Sequence, residues 1–298
     1  MCSDHLNLIL AKGFEKGILS AIFTFLNENL MLWDVLRLTD IPYESKFLEV
    51  LPLVMNNKYK VHNHYTVCPY IDLGSNWEEI LASFDSKIKN IIKRKGKKFS
   101  KLEKSSFYEA DLKNDFKKNI SEFMRLSKLR FSMKNMISPF IDKKFINFHI
   151  NIIREHAKER KARIYFLMAE GKVIAGIYLL YHNGVVYYYQ SGFDPAWDRI
   201  SPGTLLFNYS IENEWKEGMS EFDFLRGDES YKSLWTKHKR INVSVTIFRS
   251  YWILLYYSCL NFVKKLSNRI NMISQKMVTY VKSKRIYLLG RQIYQLYL

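Results

Sequence analysis

Residues 162–225 read ARIYFLMAEGKVIAGIYLLYHNGVVYYYQSGFDPAWDRISPGTLLFNYSIENEWKEGMSEFDFL, and this stretch decides the fold. Three apolar segments, 162–169, 172–181 and 185–192, are separated only by Glu170-Gly171 and by the short break holding Asn183-Gly184, which predicts three antiparallel strands in succession. Asn183-Gly184 is the kind of pair that accepts positive φ at both central positions of a two-residue hairpin. Ser201-Pro202-Gly203-Thr204 then opens a helix that runs to Glu217. Ser201 suits the N-cap, and Pro202 suits the first helical position, where a missing N–H costs nothing. A strand over 221–225, a short helix over 229–235 and a strand over 243–248 close the block.

Upstream of this block, Phe107 to Ala110 suits a strand, and 112–130 and 142–160 suit two long amphipathic helices, the second with Phe145, Phe148, Ile152 and Ile153 on one side. The basic stretch 86–104 reads as a helix broken near Gly96. Asn76 reads as the cap of a helix whose apolar face is Trp77, Ile80, Leu81 and Phe84. Earlier still, helices over 12–28 and 45–56 alternate with a strand over 33–38 and one or two strands within 59–73. From residue 105 onward the order is β-α-α-β-β-β-α-β-α-β, a mixed α/β (α+β) pattern.

The chain has 298 residues, with 48% hydrophobic and 15% aromatic content and only 12 Gly and 6 Pro, which excludes collagen-like, low-complexity and wholly disordered classes. Its net charge of +17 is unevenly placed. Nine Lys and Arg residues crowd 85–104 against Asp85 and Glu103, and no acidic residue follows Glu229 while thirteen basic ones do. Such patches suit phosphates of nucleic acid, anionic headgroups or a phosphorylated cofactor; the plainer reading is a set of solvated lysine-rich helix faces.

Cys2, Cys68 and Cys259 lie far apart and form no CxxC pair, which argues against a disulfide framework or a zinc site and fits a reducing compartment. His62 and His64 lack a third ligand nearby, and His149 and His156 sit two helical turns apart, about 10 Å, too far for one metal. No metal is expected. The first 30 residues lack a basic start followed by an apolar block, and no apolar run reaches the ~20 residues of a spanning helix. The chain reads as cytoplasmic and bacterial in style.

Cys68-Pro-Tyr-Ile-Asp-Leu, Lys89-Asn-Ile-Ile-Lys-Arg-Lys, Tyr189-Gln-Ser-Gly-Phe-Asp, Ser201-Pro-Gly-Thr-Leu-Leu and Asp223-Phe-Leu-Arg-Gly-Asp-Glu-Ser-Tyr-Lys, taken in this order, resemble the bacterial acyltransferases grouped as FemAB-like and BioF2-like domains of the GCN5-related N-acetyltransferase (GNAT) superfamily. The resemblance implies tandem GNAT-like lobes: a partial N-terminal lobe over 1–84, a complete acyltransferase lobe over 85–249, and a basic amphipathic helical tail over 250–298. It also implies acetyl-CoA or another acyl-CoA as co-substrate. The expected activity is transfer of an acyl group to an amine on a sugar, peptide or cell-surface polymer precursor.

In that fold the strands on either side of the central helix splay apart, and the donor lies in the gap with its pyrophosphate at the helix start. Gly203, Thr204 and Leu205 would then supply backbone N–H groups, beside Ser201 and the charge of Arg199. The loop has one Gly and a Pro where acetyltransferases usually show Arg/Gln-x-x-Gly-x-Gly/Ala, and Ser-Pro-Gly also serves simply as a well-formed helix start. The resemblance implies Tyr231 as the acid for the leaving thiolate, with Asp228 and Glu229 the nearest carboxylates in sequence and Asp194 a further candidate to take the amine proton, and Gln190, Asp223 and Arg226 as acceptor-side residues. Plainer roles stand beside these: an Asp223–Arg226 ion pair, Asp228 as a cap, and an exposed Lys232.

Two alternatives share the same sequence. Some Fem-like relatives use aminoacyl-tRNA, for which 86–104 would form an RNA-binding face. A degenerate lobe would serve instead as a lipid- or nucleic-acid-binding module. The tail, with Trp252, Tyr256, Tyr257 and Phe262 among lysines, suits either an anionic membrane surface at the inner face of the membrane or packing against the lobes.

Overall fold

A computed structural model of the chain describes residues 4–55, 59–264, 266 and 267. The elements are α1 (Glu15–Glu28), β1 (Val35–Pro42), α2 (Lys46–Met55), β2 (Lys60–Asp72), α3 (Trp77–Ser83), α4 (Ser86–Phe99), β3 (Ser106–Glu109), α5 (Phe116–Met133), α6 (Lys143–Ala157), β4 (Ala162–Ala169), β5 (Lys172–His182), β6 (Val185–Phe193), α7 (Pro202–Lys216), β7 (Glu221–Asp223) and β8 (Lys239–Phe248). Short 3-10 turns occupy Leu30–Leu32, Pro139–Ile141, Pro195–Ile200 and Lys232–Leu234. Two compact units are built from these. One comprises 1–6, 40–43 and 65–243, the other 7–39, 44–64 and 244–298. They run differently from the blocks 1–84, 85–249 and 250–298, because residues 65–72 belong with the later strands.

The larger unit is a sheet in the order β1-β8-β2-β7-β6-β5-β4-β3, to which β1, β8 and β2 give residues 40–42, 239–243 and 65–72. β3 to β6 form an antiparallel meander, β7 runs parallel to β6, and β2 returns antiparallel to β7. The hairpins are those expected: Glu170 and Gly171 have φ of 50° and 73°, Asn183 and Gly184 of 48° and 76°. Both faces of the sheet are covered, which explains the unbroken apolar runs of β4 and β5. Tyr165, Leu167, Ile177 and Leu179 pack with Leu205, Leu206 and Ile211 of α7 and with Ile88 and Phe99 of α4. Ile164, Phe166 and Tyr178 face Ile120, Phe123 and Leu126 of α5 and Ile153 of α6.

Two local features differ from the sequence reading. α4 continues through Gly96 without a break, since Ile88, Ile91, Ile92 and Phe99 form one seam in this core. That burial outweighs the roughly 1 kcal/mol that glycine costs inside a helix. Ser201 stands at the N-cap of α7, but its backbone is left-handed (φ 53°) and its side chain makes no cap bond.

In the smaller unit α1 and α2 bury Leu19, Phe23, Phe47, Leu51 and Met55. Tyr59 donates to Asn27 (2.7 Å), and the Trp33 indole donates to the Leu26 carbonyl (2.9 Å). Arg249 pairs with Asp34 at 2.7 Å. A helix follows from residue 251, with Trp252, Tyr256 and Phe262 exposed; the tail from 268 lies outside the described residues.

Candidate active site

β6 and β7 are paired only where Val185, Val186 and Tyr187 stand opposite Glu221, Phe222 and Asp223. Beyond that they part. β6 continues beside β5 to Phe193, while the chain after β7 turns toward β2, Phe224 N–H bonding the Pro69 carbonyl (3.0 Å) and Gly227 N–H that of Val67 (2.9 Å). A cleft of about 780 Å³ opens there, lined by 188–191, by 224–226 and 229–232, and by the end of α5 through Pro139. β6 also carries a bulge at this height. Tyr178 stands opposite Gln190 and Leu179 opposite Tyr188, so Tyr189 is the extra residue, and the flanking side chains are re-aimed.

The charge in the cleft comes from α5. A Cβ on Gly192 would lie 2.3 Å from the Ser127 backbone nitrogen, so only glycine lets this helix lie so close to β6. Arg130, one turn beyond Ser127, thereby reaches the splayed strand and donates to the Ser191 carbonyl (3.0 Å), the Ser191 hydroxyl and Tyr188 (3.3 Å). Tyr231 completes the group through hydrogen bonds with Arg130 and Tyr188. Burial raises the Tyr231 phenol, Tyr188 raises it further, and Arg130 works in the other direction. The phenol is therefore protonated at neutral pH. Burial also opposes the charge of Arg130, but the two tyrosines outweigh it and its pKa is raised. Among the described residues no carboxylate forms an ion pair with Arg130.

The loop after β7 is held in a costly conformation, with Leu225 at φ 57° and Gly227 at φ 118°. Lys232 fixes it. Its ammonium, expected to be exposed, is 3% accessible, donates to the Arg226 carbonyl (2.9 Å) and pairs with Glu229 at 2.8 Å. Burial raises the Glu229 carboxyl, but Lys232 prevails and holds it below its ordinary value. The floor of the gap is aromatic: Phe207 stacks near Tyr188, Phe224, Tyr231 and Trp235, with ring centroids 4.7–6.1 Å apart.

A strand pair that parts beside a helix start, over a meander capped by helices on both faces, has a counterpart among known proteins. Residues 86–233 match the model of the acetyltransferase (GNAT) domain. Residues 86–233 of this chain form a domain of the GNAT acetyltransferase fold. A crystal structure of FemX superposes with a TM-score of 0.57 at 11% identity, covering 77% of this chain and 76% of that one. The C-terminal domain of a putative lysylphosphatidylglycerol synthetase from Agrobacterium fabrum gives 0.54 at 10% identity, covering 80% and 75%. L-PGS from Bacillus licheniformis gives 0.51 at 15%, covering 83% and 78%. No curated protein sequence matches the chain.

Within the GNAT domain the sequence-derived candidates fall into three groups. Tyr231, Gln190 and Arg226 line the cleft, although Gln190 donates to Ser127 (2.8 Å) and Arg226 is held by Asp40 (2.7 Å) and Asp4 (2.9 Å). Gly203 and Thr204 lie in the first turn of α7, Gly203 next to Phe193 at the far end of the splayed strand, with exposed Arg199 just before them. The Leu205 N–H is already bonded to the Ser201 carbonyl (3.2 Å), which leaves Gly203 and Thr204 as the N–H groups without an acceptor in the helix. A Cβ on Gly203 would touch only the Phe193 ring, at 3.7 Å, so packing does not require glycine there.

The third group serves the fold. Asp194 caps the 3-10 turn that follows it, accepting from Ala196 N–H (3.0 Å). Asp223 is fully buried and accepts from His5 (3.1 Å) and Leu225 N–H (2.6 Å); Arg226 pairs elsewhere. Asp228 is exposed and off the cleft, whose carboxylates are Glu229 and Asp4, the latter paired with Arg226. Among the described residues no cluster of His, Cys, Asp and Glu suits a metal, and no helix is long and apolar enough to cross a membrane. Glu229, one of the carboxylates the sequence offered, lines the cleft, whereas Arg130 and Tyr188 carry no sequence signal. An arginine near the end of a helix resembles any other, and only the pairing of Gly192 with α5 reveals its role.

Proposed function

We propose that this chain is an N-acyltransferase that moves an acyl group, acetyl or longer, from coenzyme A to an amine on a sugar, peptide or surface-polymer precursor. The observation that carries the reading is the parting of β6 from β7 at Tyr187 and Asp223, with Arg130 and Tyr231 in the gap. A bound thioester supplies the activated acyl carbon. The first turn of α7 offers two open N–H groups and the positive end of a 15-residue helix to a phosphate-bearing carrier. Along the strand from there, Arg130 is placed to balance negative charge on the acyl oxygen. Tyr231 is protonated and can donate to the departing sulfur, with Arg130 offsetting the cost of its anion. Glu229 is ionised and opens to the cleft, where it can take the amine proton directly or through water; Asp228 is its neighbour. The same reading divides the chain into a partial N-terminal lobe over 1–84, a complete acyltransferase lobe over 85–249 and a tail over 250–298.

Calorimetric titration with acetyl-CoA, followed by thiol release across a panel of amines, tests this reading. Binding with amine-dependent thiol release is expected; neither heat nor thiol release would remove coenzyme A as donor. A second reading, an aminoacyl-tRNA donor, is favoured by α4. Its Lys87, Lys93, Arg94, Lys97 and Lys98 are exposed, and Lys95 bonds the Arg199 carbonyl at the start of α7. It requires tRNA affinity that falls steeply between two salt concentrations. Absence of both donors would leave a binding module without catalysis.

A further inference from the structure

We infer that the lip of the cleft between α5 and α6 is a surface for anionic phospholipid bilayers. Met133, Met136, Ile137, Ile141 and Phe148 are all exposed, Ile137 at 78% and Ile141 at 61%, and the first four fall within the short stretch 133–141 that joins α5 to α6. Exposed apolar side chains gathered in this way mark an interaction site, whereas scattered ones do not. The patch adjoins the cleft, because its Met136 also lines the cleft beside Lys134, Pro139 and Phe145.

The charge of the lip selects the partner. Between Met133 and Phe148 lie Lys134, Lys143 and Lys144 and one carboxylate, Asp142, which is spent in capping α6 through bonds to Lys144 N–H (2.7 Å) and Phe145 N–H (3.0 Å). Apolar side chains flanked by lysines suit an interface in which acyl chains meet negative headgroups, and a soluble amine acceptor would need neither. The lip is also well anchored: Ser138 caps its 3-10 turn, Phe140 is buried against Phe123, and Asn135 holds a left-handed bend (φ 53°). Its apolar tips are therefore presented by a fixed frame.

The test uses the full chain with Cys2→Ser and Cys259→Ser, an Ile137→Cys site bearing an environment-sensitive dye, and vesicles of phosphatidylcholine with or without phosphatidylglycerol, whose negative surface attracts lysines. The dye should shift to the blue only on anionic vesicles. The Ile137→Asp, Ile141→Asp double variant should partition at least tenfold more weakly while its acetyl-CoA titration is unchanged. The inference is overturned if vesicles fail to bind, if the dye stays in water while the chain is bound through another surface such as 251–264, or if the double variant binds like the parent. Failure of acetyl-CoA binding with a blue-shifted dye would instead strike the transfer reading and leave the surface standing.

Discussion

Two polar networks, one buried and one half-buried at the cleft, are built from nearly the same parts. At the C-terminal end of α7, fully buried Glu214 accepts from Tyr165 and Tyr181 (2.7 Å each) and lies 3.5 Å from Arg163, which pairs with Glu217 at 2.6 Å. In the cleft, Arg130 is likewise held by tyrosines, but among the described residues no carboxylate pairs with it. In the first network the cation meets carboxylates; the second carries a cation at the edge of open space. A buried ion pair in a folded chain needs no function beyond satisfying itself. A half-buried cation whose partners are phenols, a hydroxyl and a strand carbonyl has capacity left for a negative group, and that difference marks the cleft as the place for chemistry.

The largest effect should come from breaking the first network. Glu214→Ala strips two tyrosines of their acceptor and Arg163 of one counterion, and unfolding by urea should report a loss of about 3–5 kcal/mol. Activity per folded molecule should be unchanged. A loss of turnover without a loss of stability would reverse the roles assigned to the two networks.

Arg130→Met is the converse. It keeps the apolar stem, removes the charge, and should lower kcat by about 10²–10³, roughly 3–4 kcal/mol of barrier, with an unfolding midpoint close to the parent's. Tyr231→Phe should act in the same direction by about 10² in kcat, since the lost donor serves the leaving group and little of the fold. Steady-state thiol release measures both. Unchanged turnover in either variant would remove that residue from the mechanism.

The contrast also explains what was legible before any coordinates. The meander, both hairpins, α7 and the strand beyond it were readable because each is a local pattern: alternating or continuous apolar runs, a positive-φ pair, Pro at the first helical position. The partners of charged residues were not, because they join distant elements. Asp223 looked like a substrate ligand until His5 and Leu225 claimed it, and Lys232 looked solvated until the carbonyls of 225–227 enclosed it. Arg130 becomes visible only once Gly192 brings α5 onto β6. Gly96 misled for the opposite reason: a local helix breaker was overruled by a seam of isoleucines.

A third polar group lies between these extremes and gives a pH signature. His149 is 1% exposed, shares a hydrogen bond with the Tyr189 hydroxyl (2.8 Å), and is depressed by burial to about 4. A base whose folded pKa lies below its unfolded value near 6.5 adds stability above 6.5 that is lost as pH falls toward about 4. Over that window the chain should lose roughly 2 kcal/mol from this residue. His149→Phe, similar in volume and uncharged, should flatten the slope in denaturation midpoints measured between those values. An undiminished slope would place the sensitivity elsewhere.

The smallest effect bears on whether the start of α7 is only a helix start. Alanine at 203 would meet nothing closer than the Phe193 ring, and glycine in a helix is worth less than alanine, so Gly203→Ala should hold or raise stability by up to about 1 kcal/mol. If the turn exists only to begin a helix, that is the whole consequence. If a phosphate-bearing donor comes down onto the N–H groups of Gly203 and Thr204, the added methyl stands in its path, and acetyl-CoA affinity should fall about tenfold, or roughly 1.4 kcal/mol. Calorimetry on a variant that is at least as stable as the parent separates the two, because a structural role and a binding role push the two measurements in opposite directions. Equal affinity in parent and variant would leave the donor's phosphates to the lysines of α4.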